Sequence, residues 1–253
     1  MVQGPTHAMS GAAAGLALAT TLPAAWGGAT GVPEILCYAG ITAGAALLPD
    51  LDAPGSTVSR SFGFVTGVLS RTVAAVSVLV VNATGTRRDT RVTGAHRTAT
   101  HTVWFALLAG ACAWAAGGVA GERGVTVMLV FFAGLALRGL FPEWSSARGG
   151  PAVVLVAVAA GVAAYLTVPA LQTPLLPASA VTAGVLAHLA GDALTKTGVP
   201  LTSPLIPRKG RRWWNWTLPP ALTVTTSGVA DRALCLVFTA LSGWQLVLVL
   251  MEA

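Results

Sequence analysis

Seven long apolar segments constrain this chain more than any other feature. It is 54% hydrophobic and only 9% charged, whereas a soluble domain carries about 25% charged residues. A membrane-spanning helix needs about 20 apolar residues, so 253 residues allow roughly six or seven spans. The chain therefore predicts one all-α, polytopic membrane helical bundle over residues 1–253. The segments are 7–23, 32–49, 100–120, 124–141, 152–169, 178–194 and 233–251.

An eighth and weaker apolar segment, 62–81, breaks the pattern. Arg60 stands just before it and Arg71 lies near its middle. An arginine at the bilayer centre costs about 2.5–3.5 kcal/mol on insertion scales. We therefore expect 62–81 to be an interfacial or re-entrant segment that does not cross the membrane.

The polar residues are concentrated where apolar segments begin and end. All four histidines and three of the nine acidic residues occur in four short clusters. If 62–81 does not cross, the alternation of the helices brings every cluster to the same face of the membrane. Imidazole and carboxylate are the usual ligands of zinc and similar divalent cations. The clusters contain His7; Asp50 and Asp52; His96 and His101; His188 and Asp192.

The basic residues test this topology independently. The same arrangement leaves Arg123 as the single basic residue on the opposite face, with all other lysines and arginines on the face of the clusters. Lysine and arginine are enriched in cytoplasmic loops. The sequence thus predicts a protein of the bacterial cytoplasmic membrane whose clustered residues face the cytoplasm.

Each cluster allows a chemical and a plainer interpretation. His188 and Asp192 are four residues apart, so a helix places them on one face, where they either bind a metal or join two helices by a hydrogen bond. Asp50 and Asp52 point the same way if the chain is extended, but they also suit a solvated turn.

The third cluster begins the segment at 100. We expect His96 in the preceding loop, a threonine cap at Thr98 or Thr100, and His101 in the first helical turn. Arg97 between the histidines either binds an anionic substrate group such as phosphate or provides general surface charge.

Residues 207–216 combine basic side chains with three tryptophans. Such a mixture is typical of an interfacial anchor on anionic lipid, with capture of a lipid substrate as a second interpretation. A nucleic-acid partner is disfavoured because so short a stretch specifies no binding fold.

The ordered clusters, with Leu48-Pro49-Asp50-Leu51-Asp52 and His188-Leu189-Ala190-Gly191-Asp192 the longest of them, resemble the YdjM-like family of membrane-bound, predicted metal-dependent hydrolases. That family is distantly similar to the zinc phospholipase C and P1 nuclease group, which hydrolyses phosphodiesters. The resemblance implies one to three zinc or similar divalent ions. The implied ligands are His7, Asp50, Asp52, His96, His101, His188 and Asp192.

The chain departs from the family in one motif. Where the family usually has a glutamate in a short Gly/Ser motif before the last helix, residues 226–231 offer Asp231 at most. Asp231 either replaces that glutamate as a ligand or pairs with Arg232.

The predicted function is hydrolysis of a phosphoester, such as a phospholipid or lipid-linked substrate, by a membrane-bound metal-dependent enzyme. An unligated carboxylate among Asp50, Asp52 and Asp231 would be the general base, and Arg97 would bind the anion. A transporter or channel would need these groups at mid-membrane depth. A non-catalytic scaffold would close the coordination sphere of the metal. The sequence leaves the metal count and the oligomeric state open.

Overall fold

The structure, a computed structural model, describes residues 3–225 and 228–252. Seven helices dominate the described part of the chain, and β-structure there is limited to isolated bridges such as the one between Val199 and Trp216. The all-α fold is as predicted. The helices are α1 (Gly4–Thr21), α2 (Val32–Ala45), α3 (Phe64–Thr84), α4 (Val103–Leu140), α5 (Pro142–Thr167), α6 (Leu175–Ala193) and α7 (Val229–Met251).

Six helical elements of the described chain are long and apolar enough to cross a membrane. They are α3 to α7 and α2 together with the 3-10 turn that follows it, Leu48–Asp52. The remaining helix, α1, packs against α2, α4, α6 and α7. The predicted polytopic membrane bundle is therefore confirmed.

Helix α4 is a hairpin of two helices. Its 38 residues would extend about 57 Å if straight, well beyond an apolar layer of about 30 Å. Gly121 has φ 55° and ψ −140°, outside the helical region. A Cβ placed on Gly117 would lie 3.3 Å from Val125 Cγ2, so the chain reverses at Gly121. The two predicted segments 100–120 and 124–141 are thus separate antiparallel passes.

Glycines allow the central helices to approach closely. A Cβ on Gly11 or Gly15 of α1 would lie 2.7 Å from the facing atoms of α2. A Cβ on Gly184 of α6 would lie 2.4 Å from Thr42 O of α2. Inside lipid, helices gain no hydrophobic free energy by associating. Close van der Waals packing at small residues favours their association instead. The packing brings the first turn of α1, the end of α2 and the end of α6 together, and we call this the site end of the bundle.

The contacts of helix α3 lie at the site end of the bundle, and the expectation that this helix does not cross the membrane stays a prediction. It packs against three short turns at the site end: Leu48–Asp52, Val58–Arg60 and Ala99–His101. Arg71 is exposed on its surface. By length and composition alone α3 also qualifies as a span, but these contacts favour a position along the site end.

Two loops close the site end beyond α3. The Asp89 carboxylate accepts hydrogen bonds from the backbone amides of Arg212 and Trp213, at 3.0 and 3.1 Å. The Arg208 guanidinium lies 5.1 Å from the ring centre of Trp214. Asp89 therefore joins the loop after α3 to the basic, tryptophan-rich segment 207–216.

Candidate metal centre

The four polar clusters of the sequence meet at the site end. His7 lies in the first turn of α1, Asp50 and Asp52 in the turn after α2, and His188 and Asp192 near the end of α6. All of these side chains are buried, whereas His96 is 30% exposed. The convergence expected from the alternation of the helices is present in the structure.

His188 is oriented by a backbone carbonyl. Its Nδ1 lies 2.7 Å from Ala46 O, and because a carbonyl only accepts, Nδ1 must carry the proton. The Nε2 lone pair is then free to bind a cation, an arrangement typical of metal-binding histidines. Ala46 follows α2, so the α2–α6 packing sets this orientation.

Three ligand atoms form a small triangle around a common point. His101 Nε2 lies 3.3 Å from His188 Nε2 and 3.5 Å from Asp192 Oδ2. Asp192 Oδ2 lies 3.7 Å from His188 Nε2. Ligands bound to tetrahedral zinc at about 2.0–2.1 Å are about 3.3–3.4 Å apart. The triangle therefore has the dimensions of one face of a zinc coordination sphere.

His7 and Asp50 extend the cluster to one side of this triangle. The ring of His7 stacks on that of His188 with centroids 3.8 Å apart, and its Nε2 lies 3.5 Å from Asp192 Oδ1. Asp50 Oδ1 lies 3.9 Å from His188 Nε2. Three overlapping triples keep their ligand atoms within 4.8 Å of one another: His7, Asp50 and His188; Asp50, His96 and His101; His101, His188 and Asp192.

Asp52 lies behind two of these histidines. Its Oδ1 lies 3.0 Å from His96 Nδ1, and its Oδ2 accepts a hydrogen bond of 2.6 Å from the Thr100 hydroxyl. That hydroxyl lies 3.0 Å from His101 Nδ1. Both imidazoles are thus held with Nε2 toward the cluster. This geometry favours Asp52 as an orienting carboxylate; its predicted role as a direct ligand remains a prediction.

Several buried atoms of the cluster have no hydrogen-bond partner among the described residues. They include both ring nitrogens of His7, His96 Nε2 and Asp192 Oδ2. Such atoms are rare in folded proteins and are explained by an ion or water. The cluster contains three carboxyl groups, those of Asp50, Asp52 and Asp192, and one guanidinium, that of Arg97, so acidic groups are in excess. The donor atoms and this excess fit a divalent cation.

The protonation of His101, which lies in the turn ahead of α4, reflects the same excess of negative charge. Burial alone would lower the pKa of His101. The carboxylates of Asp192 and Asp52 outweigh burial and raise this pKa to about 9. In the metal-free protein a proton on His101 thus offsets part of the negative charge that a cation would neutralise.

Arg97 is engaged within the site. Its Nη2 lies 2.8 Å from Asp192 Oδ1 as an ion pair, and its Nη1 donates to the hydroxyls of Thr195, at 2.8 Å, and Thr197. Arg97 has a φ of 58°, which is costly for a residue with a side chain. The geometry therefore favours Arg97 as a residue that positions Asp192, and its predicted substrate contact remains a prediction.

Asp231 lies apart from the three triples that could hold a metal ion. Its carboxylate accepts from the backbone amide of Gln3 at 3.3 Å, at the start of α1, and no ion pair with Arg232 occurs among the described residues. Asp231 thus anchors α7 to the helix that carries His7. The preceding Thr226 and Ser227 of the predicted motif lie outside the described residues.

One local expectation was wrong. The residue that caps α4 is Thr102, whose hydroxyl accepts from Phe105 N at 3.2 Å, rather than Thr98 or Thr100. His101 consequently precedes the helix in the 3-10 turn Ala99–His101. In this turn the Thr100 hydroxyl donates to Asp52 instead of capping the helix. The sequence did not predict this contact, although Thr100 adjoins His101.

The comparison with protein families agrees with this architecture. The model of the YdjM inner membrane protein family matches residues 1–252. The chain belongs to this family. Membership agrees with the predicted location in the cytoplasmic membrane, while the name of the family states no reaction. No curated protein and no solved structure matches the chain significantly.

Proposed function

We propose that the protein is a membrane-bound metal-dependent hydrolase that cleaves a phosphoester at a cytoplasm-facing site. The observation that carries this proposal is the triangle of His101 Nε2, His188 Nε2 and Asp192 Oδ2. Three protein ligands around one point leave the fourth tetrahedral position for water or substrate, which is the arrangement of catalytic zinc sites. A structural site would be closed by a fourth protein ligand.

The residues divide the chemistry among them. A bound divalent cation would supply a water of lowered pKa and would polarise the phosphoryl oxygen. Asp50 is the best candidate for the general base, because no hydrogen bond to its carboxylate occurs among the described residues while Asp52 is occupied by His96 and Thr100. Arg97 holds Asp192 in place through its 2.8 Å contact.

The proposal of a phosphoester rests on charge and on the family resemblance. The predicted topology places all basic residues except Arg123 on the face of the site, and a basic surface attracts anionic substrates. The zinc phospholipase C and P1 nuclease group, to which the family is distantly similar, acts on phosphodiesters. A phospholipid or lipid-linked phosphoester suits a site at the membrane surface.

A transporter is the main rival, and the position of the site argues against it. An ion path requires ionisable groups near mid-membrane depth. Here His7 lies in the first turn of α1, and Asp192 lies one residue before the end of α6. The site therefore opens at one end of the bundle. A structural metal site differs from a catalytic one in having no coordination position that exchanges with water.

The decisive experiment combines metal analysis with a hydrolysis screen. The purified protein should contain zinc or a similar transition metal in near-stoichiometric amounts, and His188→Ala and Asp192→Ala should each lower that content. Vesicles of anionic phospholipid and soluble phosphodiesters should then be screened for metal-dependent hydrolysis that stops on chelation and returns with added metal. Metal-loaded protein that cleaves none of them would favour the scaffold.

A further inference from the structure

A cleft on the outside of the bundle shares one residue, Asp50, with the candidate metal centre. It encloses about 340 Å³ and is lined by the start of α1, by Asp50 and by the loop from Gly55 to Arg60. Ligand sites of small molecules usually occupy about 300–1,000 Å³. Asp50 is 6% exposed and belongs to two of the three metal-binding triples. The cleft therefore adjoins the cluster at Asp50.

The loop that forms one wall of the cleft is ordered by its own hydroxyl groups. Ser56 Oγ donates to Asp50 O at 3.0 Å and accepts from Ser59 N at 3.2 Å. Ser59 Oγ accepts from Gly55 N at 2.9 Å. These bonds fold the chain back from Asp50 and hold the turn Val58–Arg60 beside it. The position of Arg60 is thus set by the segment that carries Asp50.

Arg60 contributes the positive charge of this cleft. Its side chain is exposed and forms no ion pair with any acidic side chain among residues 3–225 and 228–252. Arg97, by contrast, is held by Asp192, Thr195 and Thr197. A planar guanidinium with free N–H groups binds a phosphoryl group by two parallel hydrogen bonds.

We propose that Arg60 is the substrate-binding residue of the site and that the cleft between α1 and residues 55–60 receives the phosphodiester group. Exposed Arg60 and buried Asp50 line the same cleft, so an anion bound by Arg60 would lie on the side of the cluster that carries Asp50. This inference rests on the proposed function. It assigns substrate recognition to Arg60 in place of Arg97.

The test measures anion binding as well as turnover. Zinc-loaded protein in detergent is titrated with inorganic phosphate and with soluble glycerophosphodiester, and binding is followed by calorimetry. Arg60→Ala should weaken binding of both about tenfold or more, since it removes a charge-assisted contact. Arg60→Lys, which keeps the charge, should retain part of the affinity. Arg87→Ala, an exposed arginine outside the cleft, should bind like the unmodified protein.

Zinc content is the control for folding, because Arg60 is exposed and touches no metal-binding atom; it should be unchanged in all three variants. If a phosphodiester is hydrolysed, Arg60→Ala should raise KM with little change in kcat. Phospholipid vesicles and the soluble diester are assayed in parallel, so that a larger effect in one arm identifies the source of the substrate.

The outcomes separate this inference from the proposed function. Arg60-dependent phosphate binding without any hydrolysis would support the anion site and contradict the hydrolase. Hydrolysis with an unchanged KM in Arg60→Ala would support the hydrolase and overturn the role of Arg60. Wild-type protein that binds neither phosphate nor the diester would also overturn it.

Discussion

At the scale of single residues, the site separates side chains that can bind a cation from those that orient them. His101, His188 and Asp192 direct ligand atoms to one point, at separations of 3.3–3.7 Å. Asp52 contacts the imidazole of His96 directly and orients that of His101 through the Thr100 hydroxyl. Residues of both kinds are His or Asp in the sequence, so spacing alone does not distinguish them.

This division predicts different effects for two substitutions. Asp52→Asn should lower zinc affinity about 10–100-fold, as loss of an orienting carboxylate typically does. His188→Ala removes a ligand and should reduce bound zinc far more. Competition with a chromophoric chelator measures both. Asp89→Asn is the matched control, because the Asp89 carboxylate binds loop amides and should leave zinc affinity unchanged.

A different result would change the role assigned to Asp52 from orienting carboxylate to metal ligand. Zinc loss in Asp52→Asn equal to that in His188→Ala would make Asp52 a direct ligand, as the family resemblance implies.

At the scale of helices, the glycine seam between α1 and α2 positions the site. Gly11 and Gly15 let α1 approach α2 until no side chain fits between them. His7, one turn before Gly11, is thereby held against His188, with ring centroids 3.8 Å apart. The hairpin of α4 similarly returns the chain to the site end after Gly121.

The close packing at the seam predicts that a Gly→Ala substitution lowers the free energy of unfolding at one position and raises it at another. Gly15→Ala should destabilise the protein by about 1–3 kcal/mol, the usual cost of overpacking, because its Cβ would lie 2.7 Å from Ala39 Cα. Gly40→Ala in α2 meets nothing within 4 Å and should stabilise the helix by about 0.5–1 kcal/mol. Unfolding in mixed micelles of rising denaturing-detergent content measures both. Equal effects of the two would show that the seam is not tightly packed.

At the scale of the whole molecule, the bundle has two unlike ends. The site end carries the candidate metal centre, the cleft with Arg60 and the basic segment 207–216. The opposite end carries the hairpin turn of α4 with Arg123. Such an asymmetry is what the positive-inside rule predicts for a chain whose site end faces the cytoplasm.

This asymmetry can be measured by cysteine labelling of intact cells. In a background lacking Cys37, Cys112 and Cys235, single cysteines at Thr57 and Thr90 flank α3, and one at Glu122 marks the opposite end. A membrane-impermeant maleimide should label Glu122→Cys from outside, and should label the other two only after permeabilisation. Glu122 is preferable to Gly121, whose φ of 55° disfavours a side chain.

Labelling of Thr57→Cys and Thr90→Cys from opposite sides would show that α3 crosses the membrane. The single site end would then be wrong as a membrane topology.

The sequence by itself determined the helices, because twenty-residue apolar segments admit no other backbone in lipid. It also predicted that the His/Asp clusters converge, since alternating spans return each cluster to the same end if 62–81 does not cross. The predicted segments agree with α1 to α7, including the two passes of α4. The expectation that α3 does not cross rests on one charged residue, Arg71, whose burial in lipid is costly, and stays a prediction.

Only the tertiary structure decided what each polar residue does. A hydrogen bond requires the donor and acceptor to be placed to well within an ångström and correctly oriented. Contacts between residues far apart in the chain set these positions. Ala46 O orients His188 because α2 packs on α6 through Gly184. Asp52, Arg97 and Asp231 looked like ligands or catalytic groups in the sequence. In the folded chain they contact Thr100, Asp192 and Gln3, respectively. The packing of the helices and loops places these partners beside them.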